Sequence, residues 1–305
     1  SSATKENGWT LKVILNGTPL VSSLKEEEGG QSSVATAELT KVLTTKAGVQ
    51  VTSIGRHEMV IETKHHNETL SNMPLSQVLD VVTAWKERGL KLLEKYPLYT
   101  KYVHVYKNHG QLAGGSQAHA HSQIVSLGMV PNEMAHYVSL AKVHQEETGT
   151  CVLCEATTDA LWNKQRLVES STYFHAITPF VQVHPFHVWI VPKVCGEGSE
   201  SFFSLQKVQL EDFAKILQST LHRLYNLLGD PDYNLMVRSL PPPSTGGRQK
   251  ERTFHWFVEI IPRIYERDGF QLGTGCTKLS VTPEASAKAL REVELSNKLD
   301  IRLKK

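Results

Sequence analysis

An internal repeat is the feature of this sequence that most restricts its fold. Residues 59–66 align with residues 188–195, and residues 119–123 align with residues 255–259. In each copy, apolar strands surround one amphipathic helix in which apolar residues recur every three or four positions. Two copies of one unit predict an α+β fold of two fused repeats, each a mostly antiparallel sheet with a packed helix. The apolar helix positions are Leu75, Val78, Val82, Trp85, Leu90 and Leu93 in the first copy, and Leu205, Leu210, Phe213, Ile216, Leu217, Leu221, Leu224 and Leu228 in the second.

The length and charge of the chain limit its class. Its 305 residues suffice for two ordinary cores, and we expect an N-terminal domain over 1–145 and a C-terminal domain over 146–305. A net charge of +2 offers no surface for a polyanion, so nucleic acid is not an expected partner. No apolar run approaches the roughly 20 residues that span a bilayer. We expect a soluble intracellular protein, in the cytoplasm or in an organelle matrix after removal of a targeting segment.

The strongest candidate for chemistry is the segment His119-Ala120-His121-Ser122-Gln123, which follows a loop of small residues. On an extended strand His119, His121 and Gln123 would share one face. Glycines before the segment let backbone N–H groups approach an anion, so a polyphosphate can lie beside the imidazoles. This pattern predicts phosphoryl chemistry at a histidine, although a structural role for two of the 14 histidines also fits the spacing.

Several segments, taken in order, resemble the galactose-1-phosphate uridylyltransferase branch of the histidine-triad superfamily, and most closely its ADP-glucose phosphorylase-type members. The two repeats would then be histidine-triad-like domains, which in this branch form homodimers. The resemblance spans roughly residues 9 to 295. The matching segments are 62–70, 106–110, 119–123, 151–155, 189–193, 255–257 and 269–276.

The resemblance implies a nucleotidyltransferase with a covalent nucleotidyl-histidine on His121. Gln123 would donate a hydrogen bond to a phosphate oxygen, and an amide there favours transfer over hydrolysis. A nucleotide sugar would donate a nucleotidyl group, with adenylyl expected, to a small phosphorylated or inorganic anion. The implied nucleotide- and phosphate-binding residues are Asn16, Asn108, Gly114, Gly115, Ser116 and His119, and the implied acceptor segment contains Phe270, Thr274 and Gly275.

The second repeat predicts a structural zinc site. Cys151 and Cys154 form a Cys-x-x-Cys pair, and the repeat alignment adds Cys195 and His255 as the other two ligands of a tetrahedral set. This arrangement resembles the zinc site of the family, in which a histidine stands at the position of Cys195. A thiolate and an imidazole both suit zinc. Reduced, buried cysteines without a metal are the alternative. The second copy carries Phe257 where the first carries His121, so we expect nucleophilic chemistry only in the first.

One part of the family pattern is missing. The first zinc site of the family would need a Cys-x-x-Cys upstream of Trp9, together with His66 and His119, and the cysteines are absent. The arginine-rich N-terminal segment of the family is absent too. We therefore expect the first zinc site to be lost. The alternative function is a catalytically impaired protein of this fold that serves as a binding or structural subunit of a larger assembly.

Overall fold

The computed structural model describes residues 9–23, 42–46, 48–97, 99–196, 199–240 and 254–295. These residues form a mixed α/β structure with one large, mostly antiparallel sheet and six α-helices, which confirms the predicted fold class. The strands are β1 (Lys12–Leu15), β2 (Ser22–Ser23), β3 (Val42–Thr45), β4 (Gly48–Val51), β5 (Ile54–Ile61), β6 (Tyr102–His109), β7 (His121–Leu127), β8 (Leu167–Ser170), β9 (Phe174–Ile177), β10 (Val188–Pro192), β11 (Tyr233–Arg238) and β12 (Phe257–Pro262). The helices are α1 (Leu75–Lys95), α2 (Asn132–Thr148), α3 (Val152–Leu161), α4 (Lys207–Leu228), α5 (Gly269–Thr274) and α6 (Pro283–Glu292).

The strands of both repeats form a single ten-stranded sheet. Nine strands run in the order β1-β5-β7-β6-β11-β12-β10-β9-β8, β2 pairs in parallel with β5, and β3 and β4 form a separate hairpin. The two halves join edge to edge where β6 pairs with β11, with Tyr233 opposite His109. The β5-β7-β6 set of the first half therefore has its counterpart in β10-β12-β11 of the second.

The strand register corrects the repeat alignment by one residue. Met59 lies opposite Gln123 in the first half, and Trp189 lies opposite Glu259 in the second. Met59 therefore corresponds to Trp189, whereas the sequence comparison predicts Val188. The error arises because β10 is apolar on both faces, with Val188, Ile190 and Val191 all buried, so its hydrophobic pattern does not indicate a register.

The two long helices pack together on the sheet and share one core. α1 buries Val78, Val82 and Trp85, spaced three to four residues apart, and α4 buries Phe213 and Leu217 in the same cluster. A shared core opposes independent movement of the two halves.

No helix in the described part of the chain is long and apolar enough to cross a membrane.

The boundary expected between residues 145 and 146 lies inside α2. This helix continues to Thr148 and ends at Gly149, whose φ of 73° is the left-handed conformation that terminates a helix. The division into domains 1–145 and 146–305 therefore stays a prediction.

Candidate active site and metal centre

A cavity lies where β6 ends and β7 begins. It measures about 350 Å³ and is lined by the predicted residues Asn108, Gly115, Ser116, His119 and His121, among others. The chain turns sharply between the two strands, because the backbone of Gly115 donates to the carbonyl of Gly110 at 2.8 Å. A side chain at Gly115 would lie 2.7 Å from that oxygen, so only glycine fits.

Gly114, another predicted phosphate-binding residue, shapes the turn between β6 and β7. It does not line the cavity, and its φ of 80° instead supplies a left-handed residue in the turn. Its amide donates to the carbonyl of Gln111 at 2.9 Å. Asn108 is oriented by the second half of the sheet, since Asn234 Nδ2 donates to Asn108 Oδ1 at 2.9 Å.

The His121 ring has one nitrogen held and the other left for chemistry. Nδ1 lies 2.9 Å from the carbonyl oxygen of His119, so in the neutral ring Nδ1 carries the proton and donates it. Nε2 then carries the lone pair, and within the described residues it has no hydrogen-bond partner. The side chain is 5% exposed and borders the cavity, as a nucleophile must.

A buried ion pair supports the backbone of His121. Lys107 Nζ lies 2.8 Å from Glu62 Oε2 and donates to the carbonyl of His121 at 2.9 Å. Both side chains are at most 1% exposed. The pair ties the ends of β5, β6 and β7 together. Neither residue was predicted from the sequence, although a lysine and a glutamate at the ends of apolar strands are a usable signal.

Gln123 lies at the centre of a polar network. Its Oε1 is 2.7 Å from His57 Nε2, 2.9 Å from the Tyr106 hydroxyl and 3.4 Å from Asn16 Nδ2. The predicted Asn16 and Gln123 are thus brought together across 107 positions of sequence. His57 and Tyr106 were not predicted, because no sequence spacing relates them to Gln123.

His119 lies outside the strand that was predicted to carry it. β7 begins at His121, so strand geometry places only His121 and Gln123 on a common face. The Nδ1 atoms of His119 and His66 are 2.9 Å apart, and His119 Nε2 lies 2.7 Å from the carbonyl of Thr63. The two histidines at the positions of the family's first zinc site are therefore adjacent. The region upstream of Trp9, where the family carries its cysteine pair, lies outside the described residues.

The predicted acceptor segment forms a short helix. Asp268 caps α5, and Gly275 ends it with a φ of 72°. Phe270 is 57% exposed, and the Thr274 hydroxyl donates to the carbonyl of Phe270 at 2.6 Å. Among the described residues, no hydrogen bond joins Phe270, Thr274 or Gly275 to His121 or Gln123.

The four predicted metal ligands converge in the second half. One ligand atom from each of Cys151, Cys154, Cys195 and His255 lies within 4.8 Å of every other, which suits a single metal ion. Cys151 and Cys154 lie at the start of α3, Cys195 follows β10 and His255 precedes β12. His255 Nδ1 lies 3.3 Å from the Trp256 carbonyl, so Nε2 has the free lone pair.

The sulfur atoms are too close for three free thiolates. Hydrogen bonds from the thiols of Cys154 and Cys195 lower the pKa of Cys151 to about 2. The same contact with Cys151 raises the pKa of Cys154 to about 11 and raises that of Cys195 further. A cation would remove this conflict, since a bound metal ion stabilises all three thiolates. The donor set therefore fits a metal ion.

Known proteins resemble this chain in sequence over most of its length. The galactose-1-phosphate uridyl transferase N-terminal domain family matches residues 37–131. An ADP-glucose phosphorylase of Arabidopsis thaliana is 32% identical over 288 residues, which cover 94% of this chain and 76% of that protein. A galactose-1-phosphate uridylyltransferase of Thermotoga maritima is 28% identical over 249 residues, covering 80% of this chain and 76% of that protein.

Solved structures agree with the sequence relatives. The crystal structure of an ADP-glucose phosphorylase from Arabidopsis thaliana with bound ADP-glucose has a TM-score of 0.78 and 31% sequence identity, covering 94% of this chain and 82% of that one. Such similarity over nearly the whole described fold confirms the resemblance inferred from the motifs. The chain therefore belongs to the galactose-1-phosphate uridylyltransferase family of nucleotidyltransferases.

Proposed function

We propose that this protein transfers a nucleotidyl group from a nucleotide sugar to a phosphate-type acceptor, through a covalent intermediate on His121. The observation that carries the proposal is the His121 ring. Its Nδ1 is held by the His119 carbonyl, which leaves the lone pair of Nε2 at a cavity whose lining includes Gly115 and Ser116 and also Asp230 and Asp232. Gly114 and Gly115 use their N–H groups inside the turn, so the proposed backbone donor to a phosphate oxygen is the N–H of Ser116.

The first step forms one bond and breaks another. Nε2 of neutral His121 attacks the α-phosphorus in line, and the bond from that phosphorus to the bridging oxygen breaks. The electron pair leaves with the sugar phosphate. The His121 ring then carries a positive charge, which the carbonyl of His119 stabilises through the Nδ1 proton. Gln123 donates to a non-bridging oxygen of the transferred group.

The second step reverses the first with a new nucleophile. An oxygen of the acceptor anion attacks the same phosphorus, the bond to Nε2 breaks, and the neutral imidazole is restored. ADP-glucose is the donor that the relatives favour, since an ADP-glucose phosphorylase matches 94% of this chain. An inorganic or sugar phosphate is the matching acceptor.

The acceptor segment acts, in this proposal, from a second copy of the chain. Phe270 and Leu272 are 57% and 68% exposed, and a homodimer would cover them. Mixing His121→Asn with Phe270→Ala chains tests this idea, because a mixed dimer then contains one site with neither change. Restored turnover in the mixture supports the homodimer. An activity of the mixture that only equals the sum of the two variants measured separately contradicts it.

Zinc is the metal that we propose for the second half. Cys151, Cys154, Cys195 and His255 would hold it, and its charge would keep the three sulfurs deprotonated. The ion would connect α3 to the strands β10 and β12, which is a structural role.

Intact-protein mass spectrometry at neutral pH tests the covalent step. The protein is incubated with ADP-glucose and, separately, UDP-glucose, and we expect one added nucleotide whose mass identifies the base. His121→Asn must lose the adduct, and His136→Asn, a change at an exposed helix position, must retain it. A folded protein that forms no adduct with either donor contradicts the proposal and favours the structural subunit.

A further inference from the structure

The proton on the buried ring of His57 can be assigned from its neighbours. The backbone N–H of Leu20 points at Nδ1 at 3.1 Å, and a backbone N–H can only donate. Nδ1 must therefore carry the lone pair. Burial lowers the pKa of His57 despite the contact with Gln123, so the ring is neutral at pH 7 and its single proton is on Nε2.

This proton is donated to Gln123. Nε2 of His57 lies 2.7 Å from Gln123 Oε1, which is the shortest of the three contacts to that oxygen. The Tyr106 hydroxyl donates to the same oxygen at 2.9 Å. Asn16 adds a third, longer contact of 3.4 Å, and its own amide is oriented because Asn16 Oδ1 accepts from the backbone of Thr18 at 2.9 Å.

The network leaves Gln123 one orientation. With three donors around its oxygen, a rotation of the amide by 180° would place Nε2 against the Nε2 proton of His57 and the hydroxyl of Tyr106. The amide nitrogen therefore points away from this network, and within the described residues it donates no hydrogen bond to protein. His121 and Gln123 lie on the same face of β7, so the Gln123 side chain and the nucleophile share one side of the sheet.

We propose that His57 is a positioning residue: with Tyr106, it holds the Gln123 amide so that Gln123 Nε2 donates to the phosphoryl group attacked by His121. This rests on the proposed nucleotidyl transfer. His57 touches no reacting atom, and it acts through Gln123. The backbone of the Asn16–Leu20 segment, which directs both His57 and Asn16, is the origin of the orientation.

Two substitutions at one position separate positioning from packing. His57→Gln can place an amide N–H near the site of Nε2, whereas His57→Leu fills similar space without a donor. We expect His57→Leu to lower the rate constant of His121 nucleotidylation about 10- to 100-fold, below the effect of removing a whole transition-state donor. The dissociation constant of the nucleotide sugar should change less than about 3-fold. His57→Gln should recover most of the rate. Equal rates in His57→Leu and the unsubstituted protein would overturn the proposal.

Ring nitrogen NMR gives a readout that needs no turnover. We expect a proton on Nε2 of His57 and none on Nδ1 in the folded chain, and the opposite tautomer would overturn the proposal. The side-chain amide signals of Gln123, assigned by their loss in Gln123→Glu, should shift in His57→Leu and in Tyr106→Phe. If His57→Leu does not fold, Tyr106→Phe carries both measurements. A chain without any adduct but with these NMR signatures would refute the nucleotidyl transfer and leave the orientation of Gln123 intact.

Discussion

His187 lies 3.0 Å from Glu259 in the second half of the sheet, at the positions that His57 and Gln123 occupy in the first. The correspondence follows from the register. Met59 lies opposite Gln123 and follows His57 by two residues, and Trp189 lies opposite Glu259 and follows His187 by two residues. A glutamate only accepts hydrogen bonds, and Arg238 neutralises it at 2.8 Å. A glutamine accepts on one side and donates on the other. The two pairs thus differ in one heavy atom of the acceptor side chain, and only Gln123 has an N–H group to donate.

Gln123→Glu therefore should abolish transfer without unfolding the protein. The new carboxylate can still accept from His57 and Tyr106, but it has no N–H to donate and its charge repels phosphate. We expect the nucleotidylation rate to fall at least about 100-fold, as for loss of one transition-state donor. Rapid quench with labelled donor measures it. A Gln123→Glu chain that transfers at an undiminished rate would show that no amide donor is needed, and an unchanged melting temperature is the required control.

Lys107→Met should be strongly destabilising. The substitution leaves the carboxylate of Glu62 buried without its cation, which typically costs about 3–5 kcal/mol. The double variant Lys107→Met, Glu62→Gln should recover part of the loss, because no unpaired charge remains. Denaturant unfolding measures both. Lys142→Met breaks an exposed pair with Glu146 and should cost less than about 1 kcal/mol; similar losses for the two lysines would contradict the argument.

Removal of the metal ion should loosen the second half. We expect about one zinc per chain by elemental analysis, and a lower melting temperature after chelation. Cys195→Ser should lose the metal, Cys195→His should keep it, since imidazole also suits zinc, and Cys276→Ser should behave as the unsubstituted protein because Cys276 is an exposed free cysteine. A metal-free protein with an unchanged melting temperature would refute a structural zinc site.

His104 should make stability depend on pH below neutrality. Its ring stacks between Tyr102 and Tyr106, and burial, followed by the charge of Arg238, lowers its pKa to about 4. The unfolded chain takes up this proton near pH 6.5, whereas the folded chain takes it up only near pH 4. This group therefore leaves the unfolding free energy undiminished above pH 6.5 and lowers it as the pH falls from 6.5 toward 4. One such group gives a slope of at most about 1.4 kcal/mol per pH unit.

His104→Phe should flatten the plot of unfolding free energy against pH between 6.5 and 4. Urea titrations at half-unit pH steps give the curve, and His136→Phe, at an exposed position, is the matched control. Parallel curves for His104→Phe and the unsubstituted protein would assign the acid sensitivity to other groups.

The sequence by itself determined the repeat and the candidates for the nucleophile and for the metal ligands. Alternation of apolar residues predicts two sheets with one helix each, and the edge-to-edge sheet follows that pattern. His121 and Gln123 are two residues apart, so strand geometry alone places them on one face. Cys151 and Cys154 are close for a different local reason, because they are three residues apart at the start of α3. The repeat alignment pointed to Cys195 and His255, although the strand register shifts the Cys195 part of that alignment by one residue.

Only the tertiary structure decided how these groups are held. His57 and Gln123 are 66 positions apart, and Lys107 and Glu62 are 45 apart. Such contacts depend on the register between strands, and a shift of one residue moves every side chain to the other face. Strands that are apolar on both faces do not encode that register locally. Residues of these strands pack against α1 and α4 in one core, and the local pattern of the chain does not contain those contacts between distant segments.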